Sequence, residues 1–130
     1  MSIKYKVVPR KNPLKPADPP RYYAQAVIGE KKSLNDLATR IAKSTLASKT
    51  DVHAVLLALT DEIVGYLQEG HAVDLGELCT FYPSLKSASA DTADTFNAVS
   101  QITSKKVNVK TRSGMSNILT ETPVMKISSN

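Results

Sequence analysis

The residues able to do chemistry are few and scattered. Two histidines, His53 and His71, stand far apart, and neither has a second His, Cys or acid at a zinc-ligand spacing. The single Cys79 sits among apolar residues and reads as a small core side chain; a nucleophile would need a neighbouring base. Asp61 and Glu62 are adjacent on a helical stretch and so do not share a face. Asp91 and Asp94 lie in a polar stretch and read as solvated. No glycine cluster has the spacing of a phosphate cradle. These residues imply no catalytic site, no metal site and no cofactor, and the chain reads as a non-enzyme.

The cations are better organised. Lys106, Lys110 and Arg112 recur at strand spacing, as do Lys4 and Lys6, so each set is expected to project together. Each cation placed on a phosphate releases counterions and adds salt-dependent affinity. The same pattern also serves an edge strand guarded against aggregation by lysines. The residues alone leave both readings standing.

Charge is distributed unevenly along the chain. The net charge is +5 over 130 residues. Residues 1–32 hold eight Lys or Arg against two acids, and residues 101–130 hold five against one. Between them, residues 33–70 hold three against five and residues 71–100 one against four. The ends are basic and the middle acidic, which points to a localised binding surface more than the total does.

The elements that must position these charges follow from periodicity. Residues 3–8 and 21–28 read as strands that pair as a wide hairpin, with Ile3, Tyr5 and Val7 on one face. Residues 9–20 between them hold five of the seven prolines and read as a loop. Ser33, with Asp36 three residues on, caps a helix whose positions at helical spacing are Leu34, Leu37, Ala38, Ile41, Ala42, Thr45 and Leu46. Thr50 is the expected cap of a second helix, which ends at Gly70. The second helix has a wide apolar stripe (Val52, Val55, Leu56, Leu59, Ile63, Tyr66, Leu67), expected to be covered on more than one side, as by a dimer partner.

Residues 72–86 read as a strand or hairpin with a turn or bulge at Gly76–Glu77, and Val73, Leu75, Cys79, Phe81 and Leu85 share a face. Residues 87–103 read as a loop with a helical turn near Thr92–Asn97, and residues 104–112 as a strand. A short helix over Gly114–Thr120, capped by Ser113, and a last strand from Val124 to Ile127 complete the order β, β, α, α, β, β, α, β.

Apolar residues make up 42% of the chain and aromatic residues 5%, with no Trp, so the core is expected from Val, Ile, Leu and Ala. One cysteine excludes an internal disulfide and fits a reducing cytoplasm. Met1–Arg10 has no apolar centre and does not read as a signal peptide. No run approaches the roughly 18 apolar residues of a membrane span, so no membrane partner is expected.

The stretch LNDLATRIAKSTLASKTDVHAVLLALTDEIVGYLQEGHAVDLGELCTF, residues 34–81, resembles the core of the HU and integration-host-factor family of histone-like proteins. It combines a capped helix, a short turn, a long apolar helix ending in Gly, and a strand running from Val73 and Leu75 through Gly76 to Thr80 and Phe81. Cys79 replaces a glycine usual in the family. The flanks IKYKVVPRKNPLKP, RYYAQAV, FYPSLKS, DTADTFNA and KKVNVK resemble an extended, Bacteroidetes-type subfamily.

The resemblance implies an α+β fold: a two-helix base, an antiparallel β-sheet saddle, extra N-terminal strands and an intertwined homodimer. It implies one HU-like domain over 1–130, with an N-terminal β extension (1–32), a helical pair (33–70) and a saddle, arm and short C-terminal helix (71–130). It further implies DNA binding driven by shape and charge rather than base sequence, in the cytoplasmic nucleoid, with no small-molecule substrate. The residues carried over are Lys86, Lys105, Lys106, Lys110 and Arg112, with Lys4, Lys6, Arg10 and Lys11 as added cations. Arg112 precedes Gly114 by two residues, as a Lys does in the family, and Met115 stands where another Lys is frequent.

One departure matters. The family's arm tips carry Arg-Asn-Pro, whose proline wedges between base steps. Residues 86–104 contain no Arg and no Pro, and carry Asp91 and Asp94. The alternative reading is therefore a structural or protein-interaction dimer that keeps the fold with DNA binding lost or altered.

Overall fold

A computed structural model describes residues 1–128, which fall into two compact units. The first joins the two ends of the chain, residues 1–32 and those from Leu119 onward; the second is Ser33–Ile118. The sequence groups residues 71–130 together, but the last strand clusters with the N-terminal unit.

In the first unit, β1 (Ile3–Arg10) pairs antiparallel with β2 (Arg21–Ala26) and parallel with β6 (Val124–Lys126), giving the order β2-β1-β6. The β1–β2 hairpin is the one expected. The parallel ladder is sewn at both ends, by Ile3 N–H to the Pro123 carbonyl (2.9 Å) and Ile127 N–H to the Tyr5 carbonyl (2.9 Å). A parallel pair needs a long crossover, and here the chain between β1 and β6 contains β2 and the whole second unit. Ile3, Tyr5 and Val8 are half-buried, whereas Val7 is exposed.

The second unit opens with the helix pair α1 (Leu34–Ser44) and α2 (Lys49–Gln68). Ser33 and Asp36 form a reciprocal capping box: Asp36 N–H donates to Ser33 Oγ (3.2 Å) and Ser33 N–H to Asp36 Oδ2 (2.9 Å). Ser48, not Thr50, caps α2 by accepting from Asp51 N–H at 3.1 Å. The helix starts two residues early because Ser48 stays extended while Thr50 is already helical. Gly70 ends α2 at φ 87°, with His71 N–H on the Tyr66 carbonyl and Gly70 N–H on the Leu67 carbonyl, both at 3.0 Å. This is the left-handed closure a glycine permits.

α1 packs on α2, and one side chain on each, Ala38 (0% exposed) and Val52 (8%), is more than nine-tenths buried. Other members of the α2 stripe remain open, with Val55 and Tyr66 more than half exposed.

The second sheet has the order β3-β4-β5, all antiparallel: β3 (Val73–Asp74), β4 (Cys79–Ser87) and β5 (Ile102–Thr111). The expected turn lies between β3 and β4, where Gly76 takes φ 69° and its N–H donates to Asp74 Oδ1 at 2.7 Å. Between β4 and β5 the chain makes a compact loop closed by Ala88 N–H to the Gln101 carbonyl (2.7 Å). Its helical turn is α3 (Ala98–Gln101), capped by Asn97, rather than Thr92–Asn97. The short helix α4 covers only Ser113–Ser116, and Arg112, with no side-chain cap bond, stands in the cap position expected of Ser113.

Candidate nucleic-acid interface

The register of β4 against β5 decides which cations act together. Lys86 pairs with Ser104, Ser84 with Lys106, Tyr82 with Asn108 and Thr80 with Lys110. Directly opposed residues share a sheet face, and side chains alternate along each strand. Lys86, Lys106 and Lys110 therefore project from one face, together with Thr80, Tyr82, Ser84, Ser104 and Asn108. All three lysines are exposed, and none forms an ion pair among the described residues. The face is polar throughout; Ser84 Oγ donates to the Lys106 carbonyl at 3.3 Å and Ser104 Oγ is buried, so the face presents the ammonium groups and the Asn108 amide as donors.

Lys105 belongs to the other face. It pairs with Leu85 and alternates into register with Val107 and Val109, whose partners are Pro83 and Phe81. Leu85, Val107 and Val109 are each more than half exposed, so this face is an apolar surface with Lys105 at its margin.

Arg112 is not a free cation. Its Nη2 donates to Asp74 Oδ2 at 2.5 Å, and each side chain is 52% exposed. β3 brings this carboxylate to the end of the lysine face, since Asp74 pairs with Thr80 and Thr80 with Lys110. Asp74 thus neutralises the cation that strand spacing predicts to extend the row.

In the first unit, Lys4, Lys6 and Arg10 lie on one face of β1, and the register adds Tyr23 opposite Val8 and Arg21 opposite Arg10. The Arg10 guanidinium stands over the Tyr23 ring, 5.9 Å from its centroid. Lys11 follows in the proline loop. Sequence reading did not single out Arg21; the signal was present in the hairpin itself, because Arg10 and Arg21 flank the proline-rich connector symmetrically.

The loop between β4 and β5 occupies the place of the arm that the resemblance implies. It closes on itself through Thr92 and Thr95, where Thr95 N–H donates to Thr92 Oγ1 at 3.3 Å, and through Gln101 Nε2 on the Ser89 carbonyl at 3.1 Å. Asp91 and Asp94 lie in it. Among the described residues no group of three or more His, Cys, Asp or Glu is placed to hold a metal, and no helix is long and apolar enough to cross a membrane. His71 meets Tyr66 edge-on, with ring centroids 6.2 Å apart, and Cys79 is half-buried.

Comparison with known proteins agrees with this architecture. The chain is similar in structure to a crystal structure from Bacteroides vulgatus ATCC 8482, described as a candidate bacterial DNA-binding protein, with a TM-score of 0.64 and 13% sequence identity. The match covers 99% of this chain and 50% of that one, so the chain spans about half the length of that protein. At such identity the likeness is one of fold. Comparison with curated proteins gives no match. Residues 1–126 match the model of a family described as HU domain fused to wHTH, Ig, or glycine-rich motif. With nearly the whole length matched and the capped helix pair and three-stranded sheet in place, the chain belongs to this HU-HIG family.

Proposed function

We propose that the protein is a non-enzymatic, sequence-tolerant DNA-binding subunit that works as a homodimer on the bacterial nucleoid, in the cytoplasm. The observation that carries this reading is the lysine face of β4–β5: Lys86, Lys106 and Lys110 project together and unpaired from a polar sheet. Such a face contacts phosphate oxygens and reads no base, because ammonium groups on a sheet supply charge without the fixed donor pattern that base edges demand. Lys4, Lys6, Arg10 and Lys11 add charge from the N-terminal extension, and Arg112 contributes once Asp74 releases it. The family and the DNA-binding description of the structural neighbour support the same partner.

The homodimer is supported by what one chain leaves uncovered. Among the described residues only Ala38 and Val52 are buried apolar side chains, while Val55, Leu57, Leu59 and Tyr66 on α2 and Leu85, Val107 and Val109 on the sheet stay exposed. Val64, Leu67, Leu85 and Val107 line an apolar hollow in the same unit. A second copy covers such surfaces at a gain of about 25 cal/mol per Å². The paired subunits are read as one HU-like domain per chain with an N-terminal β extension.

Bending by intercalation is not part of the proposal, because the β4–β5 loop lacks the proline wedge and carries two acids. One observation favours the second reading, a protein-interaction dimer: residues 33–118 hold eight Lys or Arg against nine Asp or Glu. Mobility-shift titration of linear, nicked and bent duplexes across a salt series separates the readings. Binding that weakens steeply with salt supports the DNA reading; no binding at low salt refutes it.

A further inference from the structure

The mouth of the β1–β2 hairpin is a concave pocket of about 620 Å³ that lies wholly within the N-terminal unit. Arg10, Lys11, Lys15, Arg21 and Tyr23 line it, against a single acid, Asp18. None of the four cations forms an ion pair among the described residues. Arg10 and Arg21 are direct cross-strand partners. Like charges placed opposite one another on a sheet are destabilising, so the arrangement is costly until something negative lies between them.

The pocket is also stiff. Residues 11–20 hold Pro13, Pro16, Pro19 and Pro20, which fix their own φ. Asn12 orders the turn, accepting Leu14 N–H on Oδ1 at 3.0 Å and Lys15 N–H on its carbonyl at 3.1 Å; Asp18 N–H then donates to the Lys15 carbonyl at 3.1 Å. The Tyr23 ring holds the Arg10 guanidinium over itself while staying 48% exposed. A pre-ordered loop and an anchored guanidinium lose little freedom on binding.

A phosphate group answers this chemistry. Its oxygens accept the planar guanidinium forks in pairs, and its charge relieves the Arg10–Arg21 repulsion. An exposed tyrosine beside the cations offers a surface on which any base stacks. The volume is of nucleotide size, within the roughly 300–1,000 Å³ of small-molecule sites.

We propose that the hairpin mouth is a nucleotide-phosphate site, in which Arg10, Arg21 and Lys15 hold the phosphate and Tyr23 stacks the base. The nucleotide is presented either by a single strand of nucleic acid or as a free molecule. This goes beyond the lysine-face reading and does not depend on it.

Backbone-amide NMR titration of the full chain at low salt tests it with three probes: inorganic phosphate, thymidine monophosphate and a short oligothymidylate. The expected result is movement of the amides of residues 10–23, with thymidine monophosphate binding tighter than phosphate. Arg21→Gln weakens every probe by about tenfold or more, the loss of one charge-assisted contact. Tyr23→Leu removes the advantage of the nucleotide over phosphate. Tighter binding of the oligonucleotide than of the monophosphate identifies a strand as the source; the reverse identifies the free nucleotide. The proposal is overturned if none of the probes moves residues 10–23, or if Arg21→Gln binds all three as tightly as the parent. Lys106→Gln/Lys110→Gln is expected to leave this response intact, so this site and the duplex-binding face fail separately.

Discussion

The lysine face of β4–β5 makes a quantitative prediction about salt. Three unpaired lysines per chain, Lys86, Lys106 and Lys110, give six in the proposed homodimer. Each phosphate neutralised contributes about −0.9 to the slope of log affinity against log salt, so this face alone sets a slope of about −5.4. Between about 50 and 200 mM salt, that slope costs roughly two-thousandfold in affinity. Lys106→Gln/Lys110→Gln leaves two of the six contacts on this face, so the face's share of the slope falls to about −2 and its share of the loss to roughly tenfold over the same range. Glutamine keeps the strand and its hydrogen bonds, and exposed replacements of this kind shift stability by about 0.5 kcal/mol or less. The control is Lys105→Gln, one residue away but on the opposite face, where the slope is expected to stay near that of the parent. Fluorescence anisotropy with a labelled duplex across the salt series gives all three slopes. Equal slopes for the parent and the double variant, or a Lys105→Gln slope that falls as far as the double variant's, would show that the face assigned by register does not carry the contact.

Other consequences are more local. Asp74→Asn frees Arg112 and removes a carboxylate from the end of the lysine row, so duplex affinity should rise; because the pair is half exposed, stability should change by about 1 kcal/mol or less, and lowered affinity would instead mean that Asp74 holds Arg112 in its working position. Ser33→Ala breaks the reciprocal cap of α1 and should cost about 1 kcal/mol in denaturant unfolding. Gly76→Ala meets no atom within 4 Å, so its expected cost of about 1–2 kcal/mol is backbone strain alone at positive φ; an unchanged unfolding midpoint contradicts that assignment. If two copies cover each other's apolar faces, unfolding free energy should rise by about 1.4 kcal/mol for each tenfold increase in protein concentration, and concentration-independent unfolding argues for a monomer.

What the sequence makes legible here is local. The Ser33–Asp36 box, the glycine end of α2 and the Gly76 turn each rest on side-chain or glycine chemistry within four residues, and all three stand where the pattern puts them. The cap of α2 is less determinate because Ser48 and Thr50 both suit the role; Ser48 takes it because the chain is still extended there when the helix begins. Long-range pairing leaves no such mark. Nothing within Val124–Lys126 says that it lies parallel to β1, since that contact joins residues about 120 apart and depends on how the intervening unit folds. The lysines fall between these cases. Lys105 and Lys106 are adjacent on a strand and must point oppositely, so alternation separates them; which of the two joins Lys86 requires the β4 register. Arg112 reads as a free cation only until β3 delivers Asp74.

The distribution of charge over the folded units changes where the electrostatic work falls. The family resemblance directs attention to the sheet of residues 33–118, yet that unit holds nine acids to eight bases. The unit built from the chain's two ends holds nine bases to three acids. The terminal unit therefore carries +6 and the second unit −1, which together give the net charge of +5. A near-neutral unit attracts a polyanion only at short range, through the face on which its lysines are segregated, because opposing charges elsewhere on the unit cancel beyond about a Debye length of 8–10 Å. The terminal unit carries a net field and draws the same polyanion from farther away. Association rate and dissociation rate should accordingly divide between the two units: charge removal at Lys4, Lys6 and Lys11 should slow duplex association, while charge removal at Lys106 and Lys110 should hasten release.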